Sequence, residues 1–179
     1  MVRPTHLVFI MTDEHSPKAL GCAGHPIVRT PNLDALAASG ARFPNAYTNC
    51  PICVPSRASF ATGRWVHQTG NWDNAHPYDG RVPGWGHRLQ GAGRRVCAVG
   101  KLHFRNALDP TGFDEQLQPM HVVDGVGDLL GSVRDELPYR HSAKKYAEQV
   151  GPGESSYNRY DRDIARLARE WLEKRAAEK

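Results

Sequence analysis

The stretch Cys53-Val54-Pro55-Ser56-Arg57-Ala58-Ser59-Phe60-Ala61-Thr62-Gly63-Arg64 decides how this chain is read. It sets a thiol two residues before a proline and four before an arginine. After Pro55 the residues Ser56 to Arg64 suit about two helical turns, with Ser56 offering a cap and Gly63 a stop. A cysteine whose task is packing sits among apolar residues and behaves as a small hydrophobe. The neighbours of Cys53 belong instead to a turn and a helix start, which place the sulfur near helix N-terminal N–H groups and a guanidinium. Cys50-Pro51-Ile52-Cys53 also reads as a CxxC redox or metal pair. Structural zinc would need two more ligands at matching spacing, and the chain has no second CxxC and no HxxxH.

Upstream, Leu7 to Met11 is an unbroken apolar run bounded by polar residues, the pattern of a strand covered on both faces in a parallel sheet. Asp13, Glu14 and His15 follow it, at the edge where open α/β sheets bind ligands. Thr30, Pro31 and Gly40 punctuate a helix with a Leu33/Leu36/Ala37 face. Residues 41–50 suggest an extended segment or short strand leading into the cysteine loop.

Downstream, Gln68 to Gly86 is rich in Gly, Pro, Asn and Trp, a loop of the kind that shapes pockets. His87 to Gly93 reads as a helix end and Val96 to Val99 as a second buried strand, with Lys101 and His103 just beyond it. Residues two apart past a strand project to one side, so this pair could bind an anion and assist proton transfer. Residues 105–158 show little periodicity and read as long loops. Ile164, Leu167, Ala168, Trp171 and Leu172 recur on one helical face, so the C-terminal segment is an amphipathic helix.

Composition bounds the function classes. With 23 Lys and Arg against 19 Asp and Glu, the net charge of +4 over 179 residues is too evenly mixed to point to nucleic acid or a membrane surface. No run approaches the ~20 apolar residues of a membrane span. The segment Met1 to His15 lacks a small-residue cleavage site, so a cytoplasmic protein with four reduced cysteines is expected.

Taken together, Cys53-Val54-Pro55-Ser56-Arg57 with Thr62-Gly63-Arg64 resembles the signature of the type I sulfatase family, within the alkaline-phosphatase-like superfamily. Residues 9–15 resemble the first metal-binding strand, residues 30–49 the following helix and strand, and Gly100 to His103 a later lysine and histidine motif. His67 to Asn74 resembles most the branch containing choline sulfatases and phosphonate monoester hydrolases, which is often cytoplasmic. The resemblance implies an alkaline-phosphatase-like α/β sandwich, its mostly parallel central sheet flanked by helices. It covers 1–179 as the N-terminal portion of one catalytic domain, whose C-terminal half is absent.

It also implies that Cys53 is converted to formylglycine by a formylglycine-generating enzyme that reads Cys53, Pro55 and Arg57. The hydrated aldehyde offers one hydroxyl to attack sulfur or phosphorus and a second to expel the anion. Asp13, Glu14 and the modified Cys53 would hold a divalent ion, Ca²⁺ first, then Mn²⁺ or Mg²⁺. Arg57, Lys101 and His103 would be catalytic, and Asn74 would contact the oxyanion of a small anionic ester; on its own residue type Asn74 reads equally as a loop-capping amide. A truncation would leave one sheet edge unpaired, which predicts poor solubility or association, a homo-oligomer being one outcome. An inactive remnant, a binding subunit and a CxxC redox protein are the other readings.

Overall fold

The computed structural model describes residues 6–127, 144, 147–148 and 150–177. They fall into two compact units, Met1–Tyr47 and Thr48–Lys179.

The first unit is built on helix α1, Pro31–Ser39, with Pro31 at its first position. The Thr30 hydroxyl does not cap the helix. It accepts from the Gly21 N–H at 2.8 Å and donates to the Asp34 carboxylate at 2.8 Å. Asp34 also takes the Cys22 N–H at 2.7 Å, clasping the 3-10 turn Gly21–Ala23 to α1. The Thr30 bond, then the Cys22 bond, hold the Asp34 carboxyl below its ordinary pKa. Gly40 ends the helix as expected, while Leu33 and Leu36 stay exposed.

The strand expected over Leu7 to Met11 is not formed. These residues are irregular, and Leu7 and Ile10 are 83% and 82% exposed. A strand exists by pairing with a neighbour, and among the described residues none pairs here. Residues 41–47 likewise contribute no strand.

The second unit carries helices α2, Cys53–Thr62, α3, Val66–Thr69, and α4, Trp85–Gly91, then strands β1, Cys97–Lys101, and β2, Glu115–Met120, and helix α5, Ser156–Ala176. β1 and β2 are parallel. β2 lies in the stretch expected to be loop: Glu115-Gln116-Leu117-Gln118-Pro119-Met120 lacks both alternation and β-branched residues, so its strand conformation comes from pairing, not propensity. β1 was legible in the apolar run Val96 to Val99, and in the structure Val96, Ala98 and Gly100 are buried in alternation.

The core joins the buried face of α2 to the loops around the sheet. Val54, Ala58 and Ala61 of α2 are buried, as are Tyr78 and Phe104. Tyr78 and Phe104 meet edge-on with ring centroids 4.9 Å apart, and Trp85 stands edge-on to Phe113 at 5.6 Å. Such pairs add about 0.5–1.5 kcal/mol beyond area burial. Helix α5 starts at Ser155, whose hydroxyl accepts from the Asn158 N–H, and lies on the sheet. There Trp171 Nε1 and Arg175 both donate to the Glu115 carboxylate, at 3.2 and 2.7 Å.

Candidate functional site

Helix α2 begins at Cys53 itself, three residues before the expected cap. Ile52 is the N-cap, and the Ser56 N–H donates to the Ile52 carbonyl at 2.9 Å, so Ser56 lies within the first turn. Pro55 has no N–H to satisfy and is fully buried at the third helical position, where proline is tolerated. The C-terminal reading holds: Gly63 takes the left-handed conformation at φ 66° and donates to Ser59 O. Cys53 is half-buried at the helix start, and Cys50 and Cys53 are both free thiols.

The loop before Cys53 is tied to the helix after it. Asn49 Nδ2 donates to the Ser59 hydroxyl, which donates to the Arg64 carbonyl at 2.6 Å. The Thr48 hydroxyl donates to Cys50 O at 3.1 Å and lies 3.4 Å from the Ser56 hydroxyl. A turn held on both sides of Cys53 limits how far its sulfur can wander.

Asn74 supplies the missing cap. Its Oδ1 accepts from the Val54 N–H at 3.1 Å, so the amide sits one residue from Cys53. The loop that delivers it is held by Asn71 Nδ2 on His76 O at 2.7 Å and by a 2.7 Å contact between Asp73 and His76. Gly127, at φ 74°, closes over it: an added Cβ would stand 1.8 Å from the Asn74 carbonyl oxygen.

One turn beyond Cys53, Arg57 Nη1 donates to the Lys101 carbonyl at 2.5 Å. Lys101 ends β1, and the N–H groups of Leu102 and His103 both reach Met120 O, at 3.1 and 2.8 Å. His103 adopts a left-handed φ of 54°, uncommon for a bulky residue and a mark of a position held by its surroundings. Hydrogen bonds therefore join Asn74 to the start of α2 and Arg57 to the strand end that carries Lys101 and His103. The loop after His103 is pinned by Arg105, whose Nε donates to Asp109 at 2.8 Å and whose Nη1 stands 3.5 Å from Asp79.

Asp13 and Glu14 belong to the first unit, where Glu14 has a φ of 56°. Among the described residues, no three His, Cys, Asp or Glu side chains converge as a metal site would require. Two carboxylates and a thiol also fall short of the six or more oxygens a hard cation takes. The described residues do not by themselves assemble that coordination shell.

Sequence reasoning missed Asn49 and Ser59, which tie the loop to α2, Arg105, which binds Asp109 and Asp79, and Tyr160, whose hydroxyl donates to the Gln118 carbonyl 42 residues away. Such bonds leave no periodic signal.

A parallel strand pair with a helix packed on it is an α/β arrangement, and the fold is of the alkaline-phosphatase-like type. The Sulfatase family model matches residues 5–179, and the chain belongs to that family. It is 38% identical over 109 residues to an N-acetylglucosamine-6-O-sulfatase of Bacteroides thetaiotaomicron, covering 61% of this chain and 19% of the relative. It is 38% identical over 112 residues to a choline-sulfatase of Rhizobium meliloti, covering 63% of this chain and 22% of the relative. With human arylsulfatase A the identity is 48% over 64 residues, 36% of this chain and 13% of the relative. A solved structure of a protein bound to D-glucosamine-2-N,6-O-disulfate superimposes with a TM-score of 0.57 at 38% identity, covering 60% of this chain and 22% of that one. The matched stretch thus spans about a fifth of the length of the first two relatives. Among the described residues no helix is long and apolar enough to cross a membrane.

Proposed function

We propose that this chain is the nucleophile-bearing N-terminal portion of a sulfuric-ester hydrolase acting on a small anionic ester. The observation that carries the reading is the bond from Arg57 to the Lys101 carbonyl, which joins the Cys53 helix to the Lys101–His103 segment in one polar corner. The family supports sulfate as the transferred group. A phosphonate or phosphate monoester presents the same tetrahedral anion to the same cations, and the choice between them is part of the test.

Cys53, once oxidised to formylglycine, would supply a hydrated aldehyde with two hydroxyls on one carbon, which splits one difficult displacement into two easier steps. The chain's own residues hold that group. Asn74 and the Thr48–Asn49 loop fix the start of α2. The Arg57 guanidinium, a planar fork of donors, would stabilise a developing oxyanion. Lys101 adds a second cation, and the His103 imidazole is suited to transfer a proton to the departing alcohol. Asp13, Glu14 and the modified Cys53 would contribute to a divalent-ion site, Ca²⁺ first, then Mn²⁺ or Mg²⁺. A cytoplasmic location and self-association belong to the same reading.

The test is co-expression with a formylglycine-generating enzyme, mass spectrometry of the peptide carrying Cys53, and assay on an aryl sulfate and on a phenyl phosphonate. Conversion of Cys53 with turnover that Cys53→Ala abolishes supports the hydrolase. Full conversion without turnover on either ester would favour an inactive remnant or a binding subunit. A reversible Cys50–Cys53 disulfide in place of conversion would favour the redox reading.

A further inference from the structure

β1 and β2 pair in register up to Val99 opposite Leu117 and resume with Lys101 opposite Met120, so Gly100 faces the two residues Gln118 and Pro119. This is a β-bulge, and bulges re-aim the residues that follow them. Gln118 absorbs it with a left-handed φ of 46°. The Gln118 carbonyl, turned out of the ladder, accepts the Tyr160 hydroxyl at 3.0 Å. One turn along α5, Ile164 packs on the other side of the bulge: Gly100 has a φ of 89°, and an added Cβ there would lie 3.0 Å from Ile164 Cδ1. α5 therefore grips both strands of the bulge, and the next residue along β1 is Lys101, whose carbonyl receives Arg57. Burial, and then Asp161, raise the Tyr160 phenol above its ordinary pKa, while Arg57 pulls it down, which places the phenol within the field of that guanidinium.

We propose that Tyr160 is a positioning residue for the Arg57–Lys101 corner, holding the Gln118 bulge so that Lys101 leaves the strand in the direction that meets Arg57. The proposal rests on the reading of that corner as an oxyanion site. Tyr160 touches no reacting atom in this role; it sets the angle at which the Lys101 backbone carbonyl meets the Arg57 guanidinium.

The test uses the full chain and ¹⁵N NMR, following the Lys101 amide and the Arg57 Nε–H during titration with inorganic sulfate. In Tyr160→Phe both signals should move from their wild-type positions while those of Cys97 and Ala98, before the bulge, stay in place. Sulfate affinity should fall roughly three- to tenfold, the fold-change that loss of a single hydrogen bond produces. Glu173→Gln, at an exposed position of the same helix whose ion pair is with Arg169, keeps the hydroxyl and the packing on the bulge and should leave sulfate affinity unchanged, separating the phenol's role from a general disturbance of α5. If Tyr160→Phe leaves the Lys101 and Arg57 signals and the sulfate affinity as they are, Tyr160 has no positioning role, and the oxyanion reading stands. If sulfate moves neither signal in the wild-type protein, the oxyanion reading fails and the proposal falls with it.

Discussion

Arg57 and Lys101, 44 residues apart in the chain, meet through a hydrogen bond from the guanidinium to the backbone carbonyl. Because the acceptor is main chain, substitution at Lys101 leaves the bond in place, whereas substitution at Arg57 removes it. Arg57→Ala should lower unfolding stability by about 1–3 kcal/mol, the cost of leaving a partly buried acceptor unsatisfied. Lys101→Ala, which keeps this bond, should cost less than Arg57→Ala. Urea denaturation of both variants measures this, and equal losses would contradict it. On the proposed hydrolase reading, both substitutions should depress turnover of the formylglycine form.

Asn74 separates two roles. Asn74→Ala removes the acceptor for the Val54 N–H and should destabilise by about 1 kcal/mol, as for a lost helix cap. Asn74→Asp keeps the acceptor and adds a negative charge at a helix N-terminus, so stability should be retained or rise. That charge also faces any anion brought to Cys53. Asn74→Asp should therefore fold normally and bind sulfate more weakly than wild type, a split that calorimetry and thermal melting resolve together.

Phe104 lies 3% exposed against Tyr78 and Phe113. Phe104→Ala should cost about 3–5 kcal/mol. Phe104→Leu, which refills most of the volume, should recover the larger part of it in thermal melting.

Stability should fall in two stages as pH drops. Burial holds the His121 imidazole below its ordinary pKa, against opposing pulls from its Phe104 backbone bond and the Asp109 charge. The unfolded chain then binds the proton more readily than the folded one, so this contribution is complete above the unfolded value near 6.5 and declines below it. Asp34, Asp109 and Asp114 are held below 3.8 by their hydrogen bonds, from Thr30, Arg105 and the Val96 N–H respectively. Their contribution is present above 3.8 and is lost as pH falls through the folded values. Melting temperature against pH should show both stages, and His121→Asn should remove the first alone.

The folded chain should resist modification at Cys53. Val54 and Pro55 are fully buried, and Arg57 is engaged with Lys101, so an enzyme that reads Cys53, Pro55 and Arg57 meets those side chains already committed. Incubating the folded protein with the modifying enzyme should leave Cys53 a thiol, while a peptide of residues 50–64 should be converted, as mass spectrometry would show.

What the sequence determined by itself was local. Pro31 and Gly63 punctuate helices through backbone geometry that belongs to the residue, and the apolar run Val96 to Val99 marks a strand. The Cys53 to Arg64 signature carries the family because its residue types stand at fixed offsets in one short stretch. The tertiary structure decided what depends on a partner. Leu7 to Met11 has the composition of a strand and forms none among the described residues, while Glu115 to Met120 lacks that composition and pairs with β1. Helix α2 starts at Cys53, and not at Ser56, because Asn74 arrives from 20 residues away to take the Val54 N–H. Arg57 meets Lys101, and Tyr160 meets the Gln118 bulge, for the same physical reason: a hydrogen bond between distant segments is specified by the packing that brings them together, and no spacing along the chain encodes it.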